Sequence, residues 1–336
     1  MATLTDVMYH SIGEGILEIR HGMDAVSTKQ VTCWLCFVLV WAALSACSVG
    51  RAEGLPYVDL SAREPLPAAA AANVAPLRVA VAAVVSPQGT VESYQPLLDY
   101  LARRLGRPVQ LIQRRTYAEV NDLIAADEVD VAFVCTSAYV IGQREFGMQL
   151  LVVPRVEGET VYHSWLIVPS DSPAQSMRDL EGGVFAFTDP WSTSGRVVPT
   201  AQVRALGRTP EDFFKRVIYT YSHDAAIRAV ADRVVDGAAV DSLVYRFAVA
   251  RDPDLAERTR VIYRSPPFAA PPVVTSPHIR AQLRAQLADI LTGMADDPEA
   301  QAALGALDVE AFVPIEDAAY DSVRQLQREA GLWDLP

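Results

Sequence analysis

The amino-acid sequence predicts an α/β protein with two lobes, between which the chain crosses twice. Short β-rich runs alternate with amphipathic helical runs over residues 77–135, and the alternation returns over residues 161–265. This alternation is typical of largely parallel sheets joined by right-handed crossovers. Each repeat is too small for a large domain, and the C-terminal part is mostly helical. We therefore expect one lobe of residues 77–170 and 266–336, and a second of residues 171–265.

Local patterns predict the elements of the first lobe. LRVAVAAVV (77–85), PVQLIQ (108–113) and VDVAFV (129–134) have the composition of buried strands. Residues 90–105 form a helix in this interpretation, because one face carries Tyr94, Leu97, Leu98, Leu101 and Leu105. Gly106 is typical of a helix end, and Thr116 is suited to cap a second helix over 116–126.

The second lobe follows the same rules. VYHSWLIVP (161–169), GVFAFT, VIYTY, GAAV and VIYRS predict strands. Helices are expected over 193–206, over 223–235 and onward from Asp241. Two further helices, over 277–294 and 316–330, complete the C-terminal return.

The net charge is −12 over 336 residues, with 51% apolar residues. An acidic chain argues against a broad basic face for nucleic acid. If the ligand is an anion, local donors must hold it, because the field of the whole protein repels it.

The N-terminal region predicts export and lipid anchoring. The apolar run VTCWLCFVLVWAALSAC ends in Leu-Ser-Ala-Cys, which resembles a bacterial lipobox whose Cys47 is acylated. Residues 1–47 are then a signal peptide, with Met23 as an alternative start, and the Ala/Pro-rich residues 48–76 a flexible tether. A transmembrane anchor is the alternative, but the run falls short of the ~20 residues that span a bilayer. After cleavage Cys135 would be the one remaining unmodified cysteine, so no internal disulfide is expected.

Three stretches place polar residues where a strand gives way to a helix. The first, FAFTDPWSTSGRVVP, starts a helix with Ser192, Thr193 and Ser194. Free N–H groups and hydroxyls at a helix start form an anion site, although an ordinary N-cap has the same pattern. The second, YSHDAAIRAV, puts His223 at a helix start, either as a donor or as a buried capping histidine.

The third stretch, VDVAFVCTSAYV, starts a helix with Cys135 and Thr136 and places Tyr139 one turn later. A helix cap with a core tyrosine explains this pattern equally well.

Together these stretches resemble the phosphonate/phosphite/phosphate substrate-binding family of ABC importers, from residue 77 to about residue 332. The matching motifs are YQPLLDYLARRLG, VDVAFV, SWLIV, DPWSTSGRVVP, SHDAAIRAV, VDGAAVDS and VIYRSPP. The resemblance implies a type II periplasmic-binding-protein fold, a permease partner, an extracytoplasmic location and a monomer without cofactor or metal. It also implies that Ser192, Thr193, Ser194 and His223 bind the ligand from one lobe, and that Ser86, Tyr94 and Tyr139 face the same cleft from the other. By their positions at the cleft, Cys135, Thr136 and Asp241 are added to the predicted ligand-binding residues.

Two departures from the family bear on the ligand. Aminoalkylphosphonate binders carry carboxylates in the second-lobe stretch and in the return crossover, whereas AAVDSLVY here contains Asp241 alone and FAAPPVV contains none. Because a buried ammonium without a partner costs several kcal/mol, phosphite, phosphate or a simple phosphonate is expected instead of 2-aminoethylphosphonate. The other departure is Cys135, since some relatives resemble arsenite sensors that act on a histidine kinase through a cysteine in the cleft.

The sequence predicts a binding protein and not an enzyme. It has no G-x-S-x-G elbow, H-E-x-x-H motif or Walker loop. A sensor of oxyanions or arsenite that uses Cys135 and a histidine kinase is the alternative to a transport protein.

Overall fold

The computed structural model describes residues 74–334. Its strands in chain order are β1 (Leu77–Val81), β2 (Val109–Gln113), β3 (Val131–Phe133), β4 (Gln149–Arg155), β5 (Val161–Tyr162), β6 (Ser164–Pro169), β7 (Val184–Phe187), β8 (Arg216–Tyr219), β9 (Gly237–Asp241), β10 (Thr259–Arg264), β11 (Phe268–Ala269), β12 (Val273–Thr275) and β13 (Ala311–Val313). Its α-helices are α1 (Pro87–Leu105), α2 (Tyr117–Ala125), α3 (Thr136–Phe146), α4 (Val198–Ala205), α5 (Pro210–Phe213), α6 (His223–Ala231), α7 (Ser242–Arg251), α8 (Asp254–Arg258), α9 (Ala281–Thr292), α10 (Gln301–Leu307) and α11 (Asp321–Glu329).

The first lobe is built on a six-stranded sheet of order β13-β4-β12-β3-β1-β2. Strand β1 pairs in parallel with β2 and β3, as the crossovers through α1 and α2 require. Strands β4, β12 and β13 pair antiparallel, and β12 and β13 come from the C-terminal return. The C-terminal part of the chain therefore adds two strands, as well as helices, to the first lobe.

The second lobe is built on a five-stranded sheet of order β10-β6-β9-β7-β8. Strand β7 pairs in parallel with β8 and β9, and β6 pairs antiparallel with β9 and β10. The short strands β5 and β11 pair with each other where the chain leaves the first lobe and returns to it. The predicted α/β fold with two lobes crossed twice is confirmed.

The predicted boundary after residue 170 is wrong. The run 161–169 has the apolar pattern of one strand, but it divides at His163 into β5 and β6, which belong to different sheets. The N–H of His163 donates to Ser242 Oγ at 3.0 Å, outside either strand ladder. The second lobe therefore begins at β6.

The helices begin and end at residues that are suited to cap them. Helix α1 begins at Pro87, three residues before the predicted start, because proline suits the first turn of a helix, where its missing N–H costs nothing. It ends at Gly106 with φ 61°. Thr116 caps α2 as predicted, in a reciprocal capping box with Glu119. Among the residues that the structure describes, no helix is long and apolar enough to cross a membrane.

Candidate functional site

Helix starts from both lobes meet between the two sheets. In the first lobe, β3 leads through Cys135 into α3; in the second, β7 leads through Ser192 into a π-helical turn, Thr193–Val197, that continues as α4. The first N–H groups of such helices have no acceptor within the helix. Donors that favour an anion are thus concentrated at this interface.

Thr193 joins the two lobes directly. Its hydroxyl accepts a hydrogen bond from the N–H of Ser137 at 2.9 Å and lies 2.7 Å from Ser137 Oγ. Cys135 Sγ is 3.9 Å from the same hydroxyl. All three side chains are buried. The lobes are closed in this structure, with the polar groups of one helix start against those of the other.

Ser192 and His223 form the adjacent part of the interface. Ser192 Oγ accepts from the N–H of Gly195 at 3.0 Å and lies 3.4 Å from His223 Nε2. The N–H of Asp241 donates to His223 Nδ1 at 3.0 Å, so the proton of the neutral ring resides on Nε2, toward Ser192. Burial lowers the pKa of His223 to about 3. The histidine is therefore a neutral donor at physiological pH.

Further bonds between the lobes surround this centre. The N–H of His223 donates to Val84 O and that of Ser86 to Asp224 Oδ1, both at 2.9 Å. The N–H of Tyr117 donates to Asp189 Oδ2 at 3.1 Å. Each bond joins a first-lobe residue to a second-lobe residue, so together they fix the closed arrangement.

Two tyrosines outside the predicted set of site residues lie at the interface. The Tyr117 hydroxyl is buried and, within residues 74–334, has no hydrogen-bond partner. Burial is the main cause that raises the pKa of the Tyr117 hydroxyl well above the usual value, and the nearby Cys135 raises it further. The Tyr162 hydroxyl accepts from Thr136 Oγ1 at 3.1 Å, and its pKa is also raised by burial and by Cys135. Both phenols are therefore neutral donors beside the Cys135 thiol.

The structure brings most of the predicted site residues together, and it places the others elsewhere. The interface contains Ser192, Thr193, His223, Cys135, Thr136 and Asp241. Ser194 is buried beside them, and its carbonyl accepts from Ser164 Oγ at 2.7 Å. Ser86 contributes its backbone N–H across the cleft. Cys47 lies outside the described residues.

Tyr139 was assigned to the cleft, and the structure corrects this assignment. Its hydroxyl donates to Asp317 Oδ1 at 2.5 Å, and its ring lies 4.8 Å from that of Tyr320. One turn into α3, the side chain packs against the C-terminal segment of the first lobe instead of the helix start. Tyr94 does border the cleft, but it packs against Phe133 and lines an apolar cavity.

Asp241 lies beside His223, because its backbone N–H donates to the ring of that histidine. Its Oδ1 accepts from the N–H groups of Leu243 and Val244 and so caps α7. Burial nevertheless raises its pKa to about 7. Near neutral pH the group is therefore partly protonated, which reduces its repulsion of an anion.

This shift predicts a pH dependence of stability. A raised folded-state pKa means that the folded chain binds the proton more tightly, so stability declines as pH rises from about 4 to about 7. Asp241→Asn keeps the helix cap and removes the titration. We expect the variant to gain on the order of 3 kcal/mol relative to wild type across this window.

Urea unfolding of both proteins from pH 4 to pH 8 measures this difference. His223 titrates in both proteins, so its opposite contribution cancels. A constant difference in unfolding free energy over the whole range would show that Asp241 is an ordinary exposed carboxylate.

Comparison with known proteins agrees with the fold. The model of the family "ABC transporter, phosphonate, periplasmic substrate-binding protein" matches residues 79–320. The phosphonates-binding periplasmic protein of Escherichia coli is 26% identical over 255 residues, 74% of this chain and 75% of that protein. A phosphate-import protein of Mycolicibacterium smegmatis is 26% identical over 254 residues, 70% of this chain and 79% of that protein.

Solved structures share the fold. A phosphonate-transporter binding protein of Pseudomonas aeruginosa superposes with a TM-score of 0.72 at 23% identity, covering 76% of this chain and 86% of that one. The methylphosphonate complex of PhnD1 from Prochlorococcus marinus gives 0.69 at 15% identity, covering 76% and 98%. Because the family model spans most of the described residues, this chain belongs to the phosphonate family of periplasmic substrate-binding proteins of ABC transporters.

Proposed function

We propose that this periplasmic protein captures a small tetrahedral oxyanion between its lobes and delivers it to an ABC permease. Phosphite, phosphate and simple phosphonates are the proposed ligands. The observation that carries the proposal is the meeting of the Thr193 and Ser137 helix starts, one from each lobe, at buried hydroxyls and a neutral histidine. N–H and O–H donors of this kind bind an oxyanion without a cationic side chain.

Lobe closure supplies the coupling between binding and transport in this proposal. Ser192, Thr193, Ser194 and His223 bind from the second lobe; Cys135, Thr136 and Ser137 bind from the first. A ligand that contacts both lobes favours the closed state by its differential affinity for that state. The permease then recognises the closed form.

The relatives support this range of ligands. One is named for phosphonates, one for phosphate import, and one was solved with methylphosphonate. The second-lobe stretch of this chain has Leu243 and Val244 after Asp241. With so few carboxyl groups there, an uncharged ligand tail is favoured over an ammonium.

Lipid anchoring through Cys47 and a monomeric state remain parts of the same proposal. We further propose that the ligand is bound and released without chemical change, so that Ser192 acts as a hydrogen-bonding residue and not as a nucleophile. Lack of aryl phosphate turnover by the purified protein is the corresponding expectation.

One observation supports the alternative function as a sensor: the Cys135 thiol lies inside the candidate site. Burial, however, raises the pKa of this thiol to about 11. The thiolate is the form that coordinates a thiophilic metalloid. A neutral thiol therefore favours an oxyanion over a metalloid as the ligand.

A ligand panel tests the proposed function. Thermal unfolding of the purified protein with phosphate, phosphite, methylphosphonate, 2-aminoethylphosphonate, arsenate and arsenite compares the candidates directly. A bound ligand at 100 times its dissociation constant adds about 2.7 kcal/mol of stability. We expect stabilisation by phosphite, phosphate or methylphosphonate, retained in Cys135→Ser. A response to arsenite alone, lost in Cys135→Ser, would establish the sensor instead.

A further inference from the structure

Two carboxyl groups of the second lobe lie at helix starts of the first lobe. Asp189 Oδ2 accepts from the N–H of Tyr117, the first residue of α2, at 3.1 Å. Asp224 Oδ1 accepts from the N–H of Ser86, the N-cap residue of α1, at 2.9 Å. Free donors and the positive end of the helix dipole favour a negative charge at such positions. Each carboxyl group thus caps a helix that belongs to the other lobe.

The caps within the first lobe do not use these two N–H groups. The Ser86 side chain makes no capping hydrogen bond, and the capping box of α2 uses the N–H groups of Thr116 and Glu119. Within residues 74–334, the first lobe supplies no acceptor for the N–H of Ser86 or of Tyr117. Because a buried donor without an acceptor is costly, both helix starts depend on the second lobe in the closed protein.

Asp189 also shapes the turn that carries oxyanion donors of the second lobe. Its Oδ1 accepts from the N–H of Trp191 at 2.8 Å, and its carbonyl accepts from the N–H of Ser192 at 3.0 Å. One buried residue therefore holds the segment that leads into Ser192 and, through its second carboxyl oxygen, the start of α2 in the other lobe. Burial raises the pKa of Asp189 to about 6, so the group is ionised at pH 8.

Asp224 holds the segment of the histidine in the same way. It directly follows His223, whose N–H donates to Val84 O across the cleft at 2.9 Å. Arg228, one turn later in α6, forms an ion pair with Asp224 Oδ2 and leaves Oδ1 to the N–H of Ser86. Two neighbouring bonds to the first lobe thus fix the place of His223 in the closed protein.

The negative charge of the two carboxylates acts against their hydrogen bonds in its effect on anion binding. On charge alone, removal of either group would strengthen the binding of a nearby anion. The helix starts compensate this charge in the closed protein, however, and Arg228 compensates Asp224 further. Removal of a carboxylate also leaves a buried N–H unpaired, which costs more than the relief of repulsion returns. Binding should therefore weaken, the opposite of the purely electrostatic result.

We propose that Asp189 and Asp224 are positioning residues for the oxyanion site. Each joins a donor segment of the second lobe to a helix start of the first lobe and thereby prolongs the life of the closed complex. This inference rests on the proposed function, because it takes Ser192 and His223 as oxyanion donors. Separation of the lobes breaks both bonds, so their loss speeds release of the ligand and leaves the rate of association unchanged.

Stopped-flow binding of methylphosphonate at pH 8, followed by tryptophan fluorescence, measures both rate constants. Trp191 of the second lobe is buried in a cluster formed mainly by first-lobe residues, so its emission is suited to report closure. Isothermal titration gives the affinity independently of fluorescence.

Two variants remove the bonds. Asp189→Asn has one carbonyl oxygen for two N–H donors, and Asp224→Ala has no acceptor for the N–H of Ser86. In each variant the dissociation rate constant is expected to rise about 5- to 30-fold. The association rate constant is expected to stay within about twofold of wild type.

Asp130→Ala is the matched control. Asp130 also accepts from a backbone N–H, that of Arg78 at 2.8 Å, but both residues lie in the first lobe. This variant is expected to lose stability in urea unfolding and to keep both rate constants, because its bond does not cross the cleft.

The outcomes separate this inference from the proposed function. If the wild-type protein binds methylphosphonate but a variant releases it no faster, or binds it more tightly, that residue has no positioning role and the oxyanion site stands. Slower association with unchanged release also contradicts the inference. If no tetrahedral anion binds the wild-type protein, the proposed function fails and the inference fails with it.

Discussion

Thr193→Val is expected to weaken oxyanion binding by about 5- to 150-fold, the equivalent of about 1–3 kcal/mol. Valine keeps the shape of threonine but removes the hydroxyl that lies within hydrogen-bond distance of Ser137 N and Oγ. The loss removes one ligand donor and leaves the N–H of Ser137 without this acceptor. Isothermal titration with phosphite or methylphosphonate measures the effect.

Thr200→Val is the matched control. Thr200 is also buried, on helix α4 that continues from the same turn, and its hydroxyl donates to Arg196 O at 2.7 Å. Its replacement is expected to lower stability without changing ligand affinity. Wild-type affinity in Thr193→Val would remove this residue from the site.

Gly195→Ala is expected to disrupt the second-lobe half of the site. A Cβ at this position would lie 2.0 Å from Thr188 Oγ1 and 2.7 Å from Thr188 Cγ2, so the π-helical turn or the end of β7 must move. Overpacking of this kind costs about 1–3 kcal/mol of stability, and displacement of the turn weakens ligand binding further.

A second substitution tests the steric cause. In Thr188→Ala/Gly195→Ala the two closest atoms are absent, and the nearest remaining contact is Thr188 Cβ at 2.8 Å. We expect partial recovery of both unfolding free energy and affinity relative to Gly195→Ala alone. Equal losses in the single and double variants would show that glycine is required there for another reason.

The features that the sequence predicted well are local. Thr116 caps its helix as predicted, and the helix expected onward from Asp241 starts there, with Asp241 as its cap. A side chain at a helix start reaches the first backbone N–H groups of that helix, whatever the remainder of the fold does. The serine and threonine run at Ser192 begins a helix for the same reason. The candidate anion donors could therefore be recognised before their spatial relation was known.

The first turn after Ser192 illustrates a detail that periodicity does not predict. The expected α-helix begins as a π-helical turn, in which the N–H of Val198 donates to Thr193 O. Pro199 has no N–H to give to the carbonyl of Gly195, and that carbonyl accepts instead from Thr188 N–H. The missing N–H of one proline thus leaves the Gly195 carbonyl available to the end of β7.

The errors concern features that depend on packing between distant segments. Tyr139 lies one turn into a helix, Tyr117 begins a helix and Tyr162 ends a short strand. None of these local positions tells which hydroxyl lies at the interface, because the arrangement of the two lobes decides it. Likewise, the apolar pattern of residues 161–169 contains no information about which sheet each half joins. The signal peptide and the lipidation of Cys47 stay predictions, outside the described residues.

The central claim is that helix starts from both lobes bind an oxyanion. Amide chemical shifts test this claim most directly. Addition of methylphosphonate or phosphite to ¹⁵N-labelled protein should shift the amide signals of Thr193, Ser194 and Ser137 most strongly, because their N–H groups lie where the anion is proposed to bind. Saturable binding with these three signals unmoved and the large shifts elsewhere would contradict the account.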